Sequence, residues 1–204
     1  MEYAERSHGT LEYELIVIGA SWGGLEAVSR VLADLDGVDV PVVIAQHRRA
    51  DVTPEGFAYL FQRHTSRPVH EVEDKDPIER GQVYLAPPDY HLLVERGAFA
   101  LSTEEHVHYS RPSIDVLFES AADAYGPATV GVVLTGANED GAAGLARIQE
   151  KGGVVVVQDP ETAEKRRMPE AAIEATSADL VLPLEEIGAF LRGLCGAPSA
   201  VRSR

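Results

Sequence analysis

Short runs rich in valine and isoleucine recur along this chain, and they constrain its fold more than any other feature. Leu15-Ile16-Val17-Ile18, Val42-Val43-Ile44-Ala45, Val130-Gly131-Val132-Val133-Leu134 and Val154-Val155-Val156-Val157 are apolar throughout, with no alternation of polar residues. Strands of this kind are buried on both faces, as in a parallel sheet covered by helices. Helical patterns lie between and after the runs. Leu25, Val28, Val31 and Leu32 follow the first run at helical spacing, Leu145 and Ile148 follow the third, and Ile187, Phe190, Leu191 and Leu194 come near the end. The fold class expected is α/β, a doubly wound and mostly parallel sheet with flanking helices. In an open sheet of this class the site lies outside the carboxyl ends of the strands.

Local signals place the remaining elements. Asp36-Gly37 ends the first helix, and Gly152-Gly153 ends the helix before the fourth run. Thr53-Pro54 reads as an N-cap followed by proline at the first helical position, opening a helix through Phe57, Leu60 and Phe61. Ser113, after Pro112, caps a helix through Val116, Leu117, Ala121 and Ala124. Pro169 to Ala175 reads as a short helix, Leu180-Val181-Leu182 as a strand, and Pro183 as the opening of the last helix. From about residue 80 to 102 the pattern changes. Val83-Tyr84-Leu85-Ala86, His91-Leu92-Leu93-Val94 and Phe99-Ala100-Leu101 are separated by turn residues and read as a small antiparallel meander. The chain divides into a polar lead-in over residues 1–13, one domain over 14–195 and a loose tail over 196–204.

Composition narrows the function. The 204 residues can bury a full core without staples. The formal net charge of −15 argues against nucleic acid or an anionic membrane surface as the main partner. No apolar run approaches the ~18 residues of a membrane span, so no membrane insertion is expected. The acidic start lacks the basic and apolar regions of a signal peptide. Cys195 is the single cysteine, which fits a reducing, cytoplasmic setting and gives no sign of a nucleophile. Arg48-Arg49 and Lys165-Arg166-Arg167 are short basic clusters that read as solvated surface or as contacts for acidic groups of a substrate.

Three of the runs end in residues suited to acyl transfer. The first leads into Gly19-Ala20-Ser21-Trp22-Gly23, a G-x-S-x-G pattern between a strand and a helix, where a tight turn lifts the hydroxyl clear. The second ends in Gln46-His47 and the third in Thr135-Gly136-Ala137-Asn138-Glu139-Asp140-Gly141. Ser21, His47 and Asp140 would then share one sheet edge as nucleophile, base and orienting carboxylate. The glycine-rich turn also allows a dinucleotide site, but no acidic residue ends the second strand. Asp140 could instead serve a turn or cap the helix beginning at Gly141, whose N-terminus favours a carboxylate. Glu139 is the rival orienter. His106-Val107-His108 supplies two potential metal ligands without a third nearby, and reads as surface strand.

The triad order Ser, His, Asp differs from that of the α/β-hydrolases. With Gly23-Gly24, Tyr84-Leu85-Ala86-Pro87, Arg111-Pro112-Ser113-Ile114-Asp115, Leu134-Thr135-Gly136, Asp140-Gly141-Ala142, Gly152-Gly153 and Met168-Pro169, the chain resembles the catalytic domain of the CheB-type chemotaxis protein-glutamate methylesterases. The likeness runs from about residue 15 to 194. It implies hydrolysis of γ-glutamyl methyl esters on chemoreceptors with release of methanol, deamidation of receptor glutamines, and no metal or organic cofactor. It maps the family's catalytic residues onto Ser21, His47 and Asp140, and implies an oxyanion hole built from the backbone at Trp22 and Ala137. Two departures stand beside the site. Trp22 occupies a position where the family usually has a small hydroxyl residue, and Ala137-Asn138 stands for Met-Gly. Trp22 and Asn138 are thus expected to reshape the substrate pocket, with a core position as the alternative for Trp22. No receiver domain of the kind family members commonly carry is expected in this chain. The rival functions are a non-catalytic adaptor of a chemosensory pathway and a hydrolase for a different ester.

Overall fold

A computed structural model describes residues 12–47, 54–176, 178 and 180–196. The proposed Thr53 cap, Arg48-Arg49, and most of the lead-in and tail lie outside the described residues.

Each apolar run forms a strand, and seven strands make one parallel sheet. β1 (Leu15–Ala20) is followed by α1 (Gly24–Ala33), β2 (Val42–Gln46), α2 (Pro54–Gln62), β3 (Val69–Glu71) and β4 (Val83–Leu85). The chain then makes β5 (His91–Glu95) and β6 (Ala98–Ser102), followed by α3 (Ile114–Tyr125), β7 (Thr129–Val133) and α4 (Ala142–Glu150). It closes with β8 (Val154–Gln158), α5 (Arg167–Thr176), β9 (Val181–Leu182) and α6 (Leu184–Cys195). The sheet order is β3-β4-β2-β1-β7-β8-β9. The connection leaving β1 runs to one side of the sheet and that leaving β7 to the other. The gap between these two strands is the switch point, where such sheets open a crevice.

The strand residues divide by parity between two cores. Leu15 and Val17 face α3, α4 and α5, where Phe118, Leu145, Ile148 and Met168 are buried. Ile16 and Ile18 face α1, α2 and α6, where Val28, Leu32, Phe61, Ile187 and Leu191 are buried. A strand alternates its side chains between faces, so a run apolar at every position needs helices on both sides. The outer strands β3 and β9 are only three and two residues long, which limits the unpaired edge each presents.

One sequence expectation is corrected in part. The antiparallel element is a two-stranded hairpin, β5 with β6. Val83–Leu85, read from sequence as its first strand, pairs in parallel with both β2 and β3. All three of its residues are buried. A run this short carries no periodicity to separate hairpin from sheet, so burial on both faces decided its place.

Among the described residues no helix is long and apolar enough to cross a membrane. Cys195 sits at the end of α6, where burial pushes its thiol up to about 12 and keeps it protonated and unreactive at neutral pH.

Candidate active site

Strand register brings Ser21 and His47 together across 26 residues of sequence. β1 and β2 pair with Ala20 opposite Gln46. Ser21 and His47 are therefore the first residues beyond the paired segment on neighbouring strands. The His47 amide donates to the Ala20 carbonyl at 3.0 Å, and the Ser21 amide donates to the Thr135 carbonyl at 2.9 Å. Gln46 ties the two turns, its Nε2 donating to the Ser21 carbonyl at 2.7 Å and the His47 carbonyl at 3.0 Å. Gly23 adopts φ 78°, a left-handed conformation that lets the chain turn into α1 immediately after Trp22.

Ser21 Oγ lies 3.2 Å from His47 Nδ1. On the other side of the ring, His47 Nε2 lies 2.8 Å from Asp140 Oδ2. An ionised carboxylate only accepts, so Nε2 carries the proton and Nδ1 offers its lone pair to the Ser21 hydroxyl. The two ring nitrogens exchange roles relative to the chymotrypsin triad, where Nε2 faces the serine. The protonation pattern is the same: a lone pair toward the hydroxyl and an N–H toward the carboxylate.

Asp140 has no solvent exposure, and it sits at the N-terminus of α3. Its Oδ2 accepts from the Ile114 amide at 2.8 Å, and its Oδ1 accepts from the Ser113 hydroxyl at 2.8 Å and the Asp115 amide at 3.0 Å. Burial works to raise this carboxyl. The bonds from His47 and from the Asp115 and Ile114 amides outweigh it, so the group stays below the usual carboxylate range. The alternative in which Asp140 caps the helix after it is not what the structure shows. The residue before α4 is Gly141, at φ 99°, and the helix has no side-chain cap of its own. Its first amides belong to Asp115, whose Oδ1 accepts from Gly141 at 2.9 Å and Gly144 at 2.7 Å. Burial, with the Asp140 charge adding to it, raises the Asp115 carboxyl above its ordinary value despite those two bonds.

Glu139, the rival orienter, faces away and is held by Arg167 at 2.8 Å. Trp22 is 60 % exposed, which overturns the alternative that it packs into the core. Its Nε1 donates to Glu164 at 2.6 Å, and Lys165 Nζ stands 5.3 Å from its ring centroid. Thr135 Oγ1 donates to the Trp22 carbonyl at 2.9 Å and accepts from the Lys165 amide at 2.9 Å, strapping the turn after Ser21 to the segment before α5. The cluster Lys165-Arg166-Arg167 is thus engaged within the fold, with Arg166 on Glu161 and Glu170. The Trp22 and Ala137 amides carry no hydrogen bond among the described residues. Asn138 Oδ1 receives the Asp140 amide at 3.4 Å.

A cleft of about 210 Å³ opens beside His47, lined by Pro88, Asp89, His106, Tyr109, Ser110, Arg111 and Pro112. Trp22 and Asn138 do not line it. His108, the other histidine of the His106-Val107-His108 pair, turns to Asp115, with Nε2 3.3 Å from Oδ2. Among the described residues no cluster of three or more His, Cys, Asp or Glu is arranged to hold a metal ion.

Sequence reading named the three contacting side chains but not their supports. The sequence pattern assigns no role to Gln46 or Asp115 and reads Ser113 only as a helix cap. Ser113 and Asp115 do lie in the Arg111-Pro112-Ser113-Ile114-Asp115 segment, so the signal was present without its meaning.

Residues 16–191 match the family described as CheB methylesterase. A Leptospira interrogans protein whose name carries protein-glutamate methylesterase/protein-glutamine glutaminase is 50% identical over 179 residues, covering 87% of this chain and 92% of that protein. A Hahella chejuensis protein-glutamate methylesterase/protein-glutamine glutaminase is 42% identical over 184 residues, covering 88% of this chain and 50% of that protein. The crystal structure of the Thermotoga maritima CheB methylesterase catalytic domain superposes with a TM-score of 0.84 at 32% identity, covering 89% of this chain and 98% of that one. With this sheet, this register and these matches, the chain belongs to the CheB methylesterase family.

Proposed function

We propose that this protein is a serine esterase that hydrolyses γ-methyl esters of glutamate side chains on a protein substrate. Ser21 Oγ attacks the ester carbonyl while His47 Nδ1 takes its proton, and Asp140 holds the imidazole and stabilises the imidazolium. The tetrahedral oxyanion falls to the unengaged amides of Trp22 and Ala137, each donor contributing ~3 kcal/mol to transition-state stabilisation. The Trp22 amide lies just before the N-terminus of α1, where the helix dipole favours negative charge. Collapse of the intermediate passes the proton from His47 to the leaving oxygen, and methanol departs. Water then attacks the acyl-enzyme with His47 again as base, freeing a glutamate and restoring Ser21. The same steps with ammonia as the leaving group would deamidate glutamine.

The observation that carries this reading is the unbroken contact chain Ser21–His47–Asp140. That chain supports catalysis over a non-catalytic adaptor. The family's place in chemotaxis supports a methylated chemoreceptor as substrate and action in the cytoplasm. Trp22, exposed immediately after the nucleophile, and Asn138 are the residues we assign to the surface that meets the ester outside the cleft beside His47, which neither of them lines.

The test is methanol release from a protein carrying glutamate γ-methyl esters, with wild type and Ser21→Ala side by side. Ser21→Ala should lower kcat by at least about 1,000-fold while keeping the fold. A variant active within about tenfold of wild type, a barrier change of only ~1.4 kcal/mol, would remove Ser21 from the mechanism.

A further inference from the structure

We propose that the turn carrying Tyr109 is a docking element that selects esters borne on a polypeptide over free small esters. The inference rests on the esterase reading above and assigns the specificity of the same site.

Val107 and Ser110 close a two-residue hairpin, the Val107 amide donating to the Ser110 carbonyl at 3.2 Å and the Ser110 amide to the Val107 carbonyl at 2.8 Å. The tip residues His108 and Tyr109 adopt φ 48° and 60°. Tight hairpin turns of this kind take asparagine, aspartate or glycine at such positions, because a larger side chain at positive φ is strained. Histidine is tolerated at such a position, but nothing local favours tyrosine there. Tyr109 is 100% exposed, so its ring gains no burial to offset the strain.

Positive-φ residues gather at the cleft, and Tyr109 is the one among them whose side chain ordinarily avoids that conformation. Four non-glycine residues among those described have positive φ: Lys75, Asp89, His108 and Tyr109. Asp89 and Tyr109 line the cleft beside His47, and His108 stands between the lining residues His106 and Tyr109. Backbone strain persists only where its surroundings hold it, and it collects at functional sites. The holding contacts are visible. His108 Nε2 rests 3.3 Å from Asp115 Oδ2, and the Asp89 amide donates to the Arg111 carbonyl at 3.3 Å. Asp115 is the same residue that binds the start of α4 and donates its amide to Asp140. The turn is thereby fixed to the framework that positions His47.

A glutamate ester presented on a protein must reach Ser21 with its side chain while the flanking backbone stays outside, against the rim. Tyr109 stands on that rim. A tyrosine offers a large amphipathic surface with two side-chain torsions, so its immobilisation costs little. A free small ester has no flanking chain to meet it.

Tyr109→Asn keeps a residue that tolerates positive φ and removes the ring, while Tyr109→Phe keeps the ring. The readout is kcat/KM for a methyl-esterified protein divided by kcat/KM for an N-acetyl glutamate γ-methyl ester amide. Tyr109→Asn should lower this ratio at least tenfold, through KM for the protein, and should unfold at a temperature no lower than wild type. Tyr109→Phe should hold the ratio within about threefold, roughly 0.65 kcal/mol by the rule that 1.4 kcal/mol is tenfold. An unchanged ratio in Tyr109→Asn, or equal losses on both substrates, overturns the docking role and leaves the esterase reading standing. A wild type that releases methanol from neither substrate overturns the esterase reading and this inference with it.

Discussion

Asp115 and Asp140 exchange helix N-termini. The Asp140 carboxylate, from the loop that leads into α4, accepts the Ile114 and Asp115 amides at the start of α3. The Asp115 carboxylate, from the start of α3, accepts the Gly141 and Gly144 amides at the start of α4. Each aspartate satisfies amides that its partner's helix leaves without intrahelical acceptors. The exchange buries two carboxylates side by side and leaves Asp140 one direction in which to reach outward, toward His47.

Asp140→Asn should therefore be far more damaging than its size suggests. An amide at this position faces the Ile114 and Asp115 donors, and it weakens the preference for a proton on His47 Nε2. We expect kcat to fall by about 1,000- to 10,000-fold. Glu139→Gln, which alters an exposed pair with Arg167, should leave kcat within about twofold, since exposed pairs contribute only ~0–1 kcal/mol. Steady-state methanol release by the two variants checks the ranking, and a larger loss for Glu139→Gln would reassign the orienting role.

The two carboxylates should pull the pH dependence of stability in opposite directions. Asp140 is held below 3.8, so its contribution is fully present above the unfolded value and is lost as pH falls through its depressed folded value. Asp115 is held above 3.8, so its ionisation opposes folding, and that cost grows as pH rises from the unfolded value through the raised folded one. Asp115→Asn retains an oxygen for the Gly141 and Gly144 amides and removes the charge. Its stability relative to wild type should improve as pH rises from about 4 toward neutrality. Urea unfolding at a series of pH values reads this difference, and a flat or falling trend would contradict it.

Trp22 should set the size of ester accepted. It follows the nucleophile directly and is held at the surface by Glu164 and Lys165. Trp22→Thr should raise kcat/KM for a butyl ester relative to a methyl ester by about tenfold, the equivalent of ~1.4 kcal/mol. The exposed position predicts a stability cost of about 1 kcal/mol or less. An unchanged ester ratio in a folded variant would limit Trp22 to supporting the turn.

Much of this is legible in the sequence. Runs apolar at every position require cover on both faces, which yields a parallel sheet, and the carboxyl ends of such strands are where a site forms. Ser21, His47 and Asp140 stood at those ends. The place of Val83–Leu85 is not legible in the sequence, because three apolar residues fit a hairpin as well as a central strand, and only the neighbours β2 and β3 decide between them. Trp22 was equally open, since an indole after a glycine turn can face inward or outward; Glu164, 142 residues away, holds it out.

What the sequence by itself determined is local: which segments are strands, where the turns fall, and which chemistries end them, because periodicity and turn residues act over a few positions. The tertiary structure decided the pairings between distant segments. The register of Ala20 with Gln46 sets Ser21 beside His47, and the N-terminus of α3, not that of α4, receives Asp140. No local pattern specifies either, because a buried carboxylate takes whichever amides the packed helices bring within reach.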